Sequence, residues 1–220
     1  MARQEIKQSR TTVDEVNDAL TSWEQRLENN KKIIYGAVGV IVVAIAIVAG
    51  YVYFRQSAYS DAENLVNKAD MVYATQGDSA GLIAYKKAAN ESFAPANRAA
   101  QMAAVILYKQ KKYDEAIKYL EGSSFNGKVM GPAAQSLLAD CYVNKKNYDK
   151  ALENYDKAIK QAGDNETLTP IIMKKKATVL RATKKYADEL AVYEEMKTKF
   201  PQEAIGMNVD KYIERAKASK

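Results

Sequence analysis

From Ile33 to Phe54 the chain runs for 22 residues without a charged side chain, IIYGAVGVIVVAIAIVAGYVYF, with Lys31 and Lys32 before it and Arg55 after it. As a helix at about 1.5 Å per residue this stretch covers about 33 Å, matching a hydrocarbon core of about 30 Å. A strand of this length has no place in a soluble sheet, where about six residues is usual. A secretory signal would place its basic region and an apolar core of about 7 to 15 residues at the very start, whereas here the polar residues 1–30 come first. The expectation is a retained transmembrane helix over 31–55. Tyr51, Tyr53 and Phe54 at one end and Tyr35 near the other suit an interfacial aromatic belt, and two lysines against one arginine favour an N-terminus in the cytoplasm.

Within this segment Gly36, Gly39, Val43, Ala46 and Gly50 recur at spacings of 3, 4, 3 and 4. Such a stripe of smaller side chains forms a candidate docking face for another transmembrane helix. Glycine is also common in membrane helices without that role. Ahead of the segment, residues 1–11 read as disordered. Val13, Val16, Leu20, Trp23 and Leu27 then form the seam of a short amphipathic helix, with Asp14, Glu15, Asp18, Glu24 and Glu28 on its other faces. Membrane-surface helices carry Lys and Arg on the polar face. An acidic one is better suited to a partner protein or to itself.

Composition narrows the function classes. Among the 220 residues there is no histidine and a single cysteine, Cys141. That removes the commonest general base, the usual zinc and haem ligand, and any intramolecular disulfide. No glycine-rich phosphate loop or nucleophile elbow is present. The reading is therefore a non-enzyme with no catalytic residues, no metal and no cofactor. Of the 33 Lys and Arg, seven lie at or before Arg55, as do six of the 27 Asp and Glu, which leaves a net +5 on residues 56–220. The acidic residues are interspersed rather than segregated and no nucleic-acid motif accompanies the charge, so a solvated helical surface is expected and no nucleic-acid partner.

Beyond the anchor the chain repeats. LYKQKKYDEAIKYLEG at 107–122 and YVNKKNYDKALENYDKA at 142–158 share K-x-Y-D-x-A-[IL], with Tyr113 and Tyr148 35 residues apart. ATKKYADELAVYEEM at 182–196 places Tyr186 another 38 on, with GDNE at 163–166 taking up the surplus. A period of this size denotes helical hairpins that bury their faces only by stacking. Ala104, Ala139 and Ala177 would sit where first helices approach closely, and Ala116 and Ala151 would do the same in second helices. Tyr113, Tyr148 and Tyr186 are expected as packing residues, since they fall at the repeat positions.

These units resemble tetratricopeptide repeats: Leu138, Ala139, Tyr142, Tyr148, Ala151, Tyr155 and Ala158 follow that pattern, and Pro201 takes the closing position of the third unit. Lys111, Lys146 and Lys184 stand where the pattern has a mid-hairpin glycine, and Glu189 stands where the second-helix alanine belongs. That substitution suggests a solvent-facing third unit. The expected architecture is all-α: a leader over 1–30, the transmembrane helix 31–55, and an α-solenoid over 56–220. Its parts are a degenerate hairpin near 57–90 broken at Gly77-Asp78, units at 97–130, 132–165 and 170–203, and a capping helix at 204–218.

An anchor leading directly into about three and a half such units resembles the ancillary SecYEG translocon subunit family of the YfgM type. The resemblance implies a single-pass protein of the bacterial inner membrane with its repeats in the periplasm. Its implied partners are the SecYEG channel, a membrane-anchored periplasmic chaperone of the prolyl-isomerase class, and emerging secretory polypeptides. Stacked hairpins present a concave face from their first helices. Alignment to the repeat puts Arg98, Gln101, Val105, Tyr108 and Lys109 there from the first full unit, Ser136, Asp140 and Val143 from the second, and Lys174, Thr178 and Arg181 from the third. Such a mixed groove suits an extended or helical peptide, although a partner on another face is an equal reading. A mitochondrial-type import receptor shares the topology, but its chaperone-binding forms resemble a carboxylate clamp whose Lys and Asn positions here hold Gln101 with Val105 and Ser136 with Asp140. An assembly factor for another envelope complex is the remaining alternative.

Overall fold

The computed structural model describes residues 12–91 and 93–219, the side chains of 12–19 and 24–27 excepted. The expectation for residues 1–11 lies outside that range, as do the side chains of Val13, Val16 and Leu27 in the leader seam. The chain divides between Gln56 and Ser57 into two compact units.

The first unit takes residues 12–56 of helix α1 (Thr12–Ala88). Leu20 and Trp23 of the leader are exposed. Among the described residues one helix, near the N-terminus, is long and apolar enough to cross a membrane, with a mean hydropathy of 2.7 in its most apolar window and none of that window buried. Among the described residues nothing covers these apolar side chains. A Cβ added at Gly36, Gly39 or Gly50 would meet nothing within 4 Å, so the small-residue stripe is bare as well.

The second unit opens with residues 57–88 of α1, interrupted at Gly77, whose φ of 79° and ψ of −168° are not helical. That region is essentially closed to residues with a Cβ. The chain reverses there, and 78–88 packs back along 57–76. Gly81 lies so close to Tyr73 that a Cβ would sit 2.7 Å from the ring, and the Tyr85 ring lies 6.0 Å from that of Tyr73. Three further hairpins follow: α2 (Ala94–Lys109) with α3 (Tyr113–Glu121), α4 (Met130–Asn144) with α5 (Tyr148–Ala162), and α6 (Leu168–Ala182) with α7 (Tyr186–Lys199). The short helix α8 (Pro201–Gly206) and α9 (Val209–Lys217) complete the unit.

The turn inside each full hairpin is built the same way. Lys111, Lys146 and Lys184 adopt φ values of 61°, 60° and 59°. At each, the backbone N–H of the lysine donates to the carbonyl three residues back, and the next N–H donates to the carbonyl five back: Lys146 to Val143 and Asn147 to Tyr142, both 2.9 Å. This is the Schellman arrangement that normally recruits glycine. The helices can approach because Ala104, Ala116, Ala139, Ala151 and Ala177 are all 0% exposed. Tyr113, Tyr148 and Tyr186 are half-buried beside them.

Two features depart from the sequence reading. Glu189 does not mark a solvent-facing unit: it is 0% exposed, and its carboxylate accepts from Arg181 at 3.3 Å and Arg215 at 2.7 Å. Two guanidinium groups replace the water it loses. The stretch 204–218 is also not one helix, because Asn208 at φ 54° separates α8 from α9. Val209 and Ile213 of α9 are buried with Tyr193 and Met196 of α7, so α9 covers the last hairpin. A longer connection, 122–129, follows α3, and Gln161 reaches over Gly131 to donate to the Phe125 and Gly127 carbonyls at 3.2 and 3.3 Å.

Candidate partner-binding face

The first helices of successive hairpins contact one another through polar and aromatic side chains, and these contacts define the inner face. Between the opening hairpin and α2, Asp70 accepts from Tyr85 Oη at 2.6 Å and from Arg98 Nη2 at 2.7 Å. Farther along the same pair, Lys109 Nζ donates to Tyr73 Oη at 3.0 Å and lies 3.7 Å from Asp78. The phenol oxygen and the Asp78 charge hold the Lys109 ammonium above its ordinary range.

Between α2 and α4 the contact is lighter: Asn144 Nδ2 donates to Tyr108 Oη at 3.2 Å, and the Tyr108 ring meets Tyr113 edge-on at 5.6 Å. Burial raises the Tyr108 hydroxyl, against the lowering effect of the Asn144 bond. Between α4 and α6 the motif of the first junction returns. Asp140 accepts from Tyr155 Oη at 2.5 Å and from Lys175 Nζ at 2.6 Å, and Lys175 also lies 3.5 Å from Ser136 Oγ. Tyr155 is 15 residues after Asp140, as Tyr85 is after Asp70. Burial, then the Asp140 charge, pushes the Tyr155 hydroxyl far above the usual phenol range.

The expected inner-face residues thus fall into distinct situations. Asp140 is committed to a junction, Arg98 to Asp70 and Arg181 to Glu189. Ser136 is buried. Lys174 lies over the Tyr212 ring at 5.4 Å, so α9 extends the row of first helices. Gln101, Val105, Tyr108 and Val143 are half-buried, while Lys109 and Thr178 are exposed. The middle of the face is therefore the least self-occupied. Val105 and Leu120 stand 35 residues before Asp140 and Tyr155, so no carboxylate–phenol pair forms there.

Tyr73, Asn144 and Tyr212 belong to the same face although the repeat alignment did not single them out. The signal for Tyr73 was its place three residues after Asp70, as Val143 stands three after Asp140. Among the described residues no group of three or more His, Cys, Asp and Glu is placed to hold a metal ion. Cys141 is buried, and burial with the Asp140 charge pushes its thiol up to about 12, which leaves it a packing residue rather than a nucleophile.

Residues 102–166, from within α2 to the loop after α5, match the tetratricopeptide repeat family. The comparison with curated proteins gave no match.

Proposed function

We propose that this chain is a membrane-anchored scaffold, held by residues 33–54, that receives polypeptide segments on the inner face of its hairpins. Tetratricopeptide repeats mediate protein–protein interaction, and this coarse role follows from the match over 102–166. The observation that carries the reading further is the junction between α2 and α4. There Gln101, Val105, Tyr108, Lys109 and Val143 are left without an ion pair across the repeat, apart from the reach of Lys109 to Asp78. Half-buried apolar surface beside an aromatic and a free amide fits an extended or helical peptide.

In its finer form the proposal makes the chain an accessory of the Sec translocon, joining the SecYEG channel to a periplasmic chaperone of the prolyl-isomerase class and to emerging polypeptides. It rests on the layout of one apolar helix preceding the repeats. The bare stripe of Gly36, Gly39, Val43, Ala46 and Gly50 would serve as the docking face within the bilayer.

Extraction of the tagged chain from its native membrane in mild detergent, followed by mass spectrometry of co-purifying proteins, tests both levels. Channel subunits should be recovered with the native chain and lost when Gly36, Gly39, Ala46 and Gly50 are changed to Leu. Loss of partners on changing Tyr108→Ala and Lys109→Ala would place their contact on the inner face. Recovery of a different envelope complex, with the channel intact but absent, rejects the translocon role and keeps the scaffold.

A further inference from the structure

The turns inside the hairpins form one edge of the repeat unit. Asp114 at the start of α3 pairs with Lys145 at the turn after α4. A groove of about 510 Å³ is lined by Lys145, Lys146 and Asn147 of one turn and by Thr183 and Lys185 of the following one. Past Lys185 the edge opens into a second groove of about 740 Å³, floored by Tyr186, Ala187, Leu190 and Ala216 and rimmed by Lys184, Lys185 and Lys217. Lys185 lines both grooves.

We propose that this edge binds an acidic segment of a partner protein that carries one bulky apolar side chain. The apolar side chain would enter the Tyr186–Leu190 groove, and the carboxylates would face the lysines. Five lysines line the two grooves against two acids, Asp149 and Asp188. Lys145 is also held by Asp114 and Lys217 by Glu214 at 3.3 Å, while Lys146, Lys184 and Lys185 are exposed. An apolar floor beside cations is poor recognition for a free inorganic anion, which would gain nothing from Leu190. Neighbouring helices pack about 8–10 Å apart, so about four extended residues span from one turn to the next.

The inference rests on the chain being a protein-binding scaffold and does not depend on use of the inner face.

The test uses the full chain in nanodiscs of zwitterionic lipid and a fluorescein-labelled peptide carrying one phenylalanine among four glutamates, followed by anisotropy. Binding should be at least about tenfold tighter than that of two controls, one with the glutamates changed to glutamine and one with the phenylalanine changed to serine. The double variant Lys146→Gly, Lys184→Gly should weaken binding at least about fivefold. It should melt no lower than the native chain, because glycine suits both backbone positions. Leu190→Ser should erase the preference for phenylalanine. Tyr108→Ala with Lys109→Ala should leave binding unchanged, which separates this edge from the inner face. Equal binding of the three peptides, no binding, insensitivity to the lysine variant, or loss on the Tyr108 and Lys109 changes each overturns the proposal. Displacement of the peptide by anionic lipid in the nanodisc would assign the edge to the bilayer and overturn it as well.

Discussion

Replacing Lys111, Lys146 and Lys184 together by glycine should stabilise the repeat unit. All three hold a left-handed conformation, with φ between 59° and 61°. For a residue with a Cβ that conformation costs about 1–2 kcal/mol, from the clash between Cβ and the following carbonyl. Glycine escapes the clash but loses more unfolded-state freedom on folding, an opposing effect of about 0.4–1 kcal/mol. The net is about 0.5–1 kcal/mol per site. Each turn keeps its two backbone hydrogen bonds, such as Lys184 N to Arg181 O at 2.9 Å and Lys185 N to Leu180 O at 2.8 Å, so nothing is lost from the ladder. The sites share no partners and should add to about 2 kcal/mol. For a domain of this size that is a rise in Tm of about 4–8 °C, read by circular dichroism at fixed detergent. The control is the matching alanine set, which removes the same three charges and keeps the Cβ. If the alanine set rises as far as the glycine set, relief of charge repulsion is the cause and the backbone reasoning fails. A flat or lowered Tm for the glycine set refutes it outright.

Glu189→Ala should destabilise the last hairpin by about 3 kcal/mol, toward the low end for a broken buried pair because Arg181 and Arg215 keep about a third of their side chains in water; denaturant unfolding that moves by less than about 1 kcal/mol would argue against it. Gly81→Ala should cost at least about 1 kcal/mol, since the added Cβ would lie 2.7 Å from the Tyr73 ring and 3.0 Å from Tyr73 Cα, a backbone contact that no rotamer relieves. Alkaline titration should show a late class of tyrosines. Burial, then the Glu121 bond, pushes Tyr142 up to about 12, and burial, then the Glu189 charge, does the same for Tyr193. Their folded-state pKa is raised, so this contribution is fully present below the unfolded value near 10. It is lost as pH climbs from there toward about 12, with stability falling about 1.4 kcal/mol per pH unit for each such group. Phenolate absorbance that rises in one step near pH 10 in the folded chain would contradict the burial.

The helical architecture could be read because it is written locally. The interval between Tyr113 and Tyr148, the alanines at matching positions and the charge-free run 33–54 are periodic facts, and helix periodicity is a local property of the chain. Gly77 was legible for the same reason, since a glycine followed by aspartate is a turn signal whatever lies around it. What escaped was pairing at a distance. In the run Lys174-Lys175-Lys176 the alignment pointed to the first lysine, yet each takes a different partner: the Tyr212 ring, Asp140 and Asp156. One helix turn separates those directions by about 100° per residue, which composition alone does not resolve. Glu189 escaped by the same logic. Its burial is intelligible only once Arg215, 26 residues later, is known to return to it.

The junctions of the stack carry an argument about where a partner enters. Two of them are closed by a carboxylate that accepts from a phenol of its own hairpin and a cation of the next, Asp70 with Tyr85 and Arg98, and Asp140 with Tyr155 and Lys175. A partner approaching either one would have to displace charge-assisted hydrogen bonds, each worth about 1.5–3 kcal/mol, before making any of its own. Between them Val105 and Leu120 take the equivalent places, and the polar contact from α2 to α4 on the inner face is the 3.2 Å bond from Asn144 to Tyr108, the pairs Asp114 with Lys145 and Glu121 with Tyr142 joining the hairpins through α3 instead. A peptide there competes with one neutral hydrogen bond, about 1 kcal/mol, and gains apolar surface in return. The part of the inner face that lacks a charge-assisted bond is therefore the one where binding costs the fold least, and the carboxylate-closed junctions flank it on both sides.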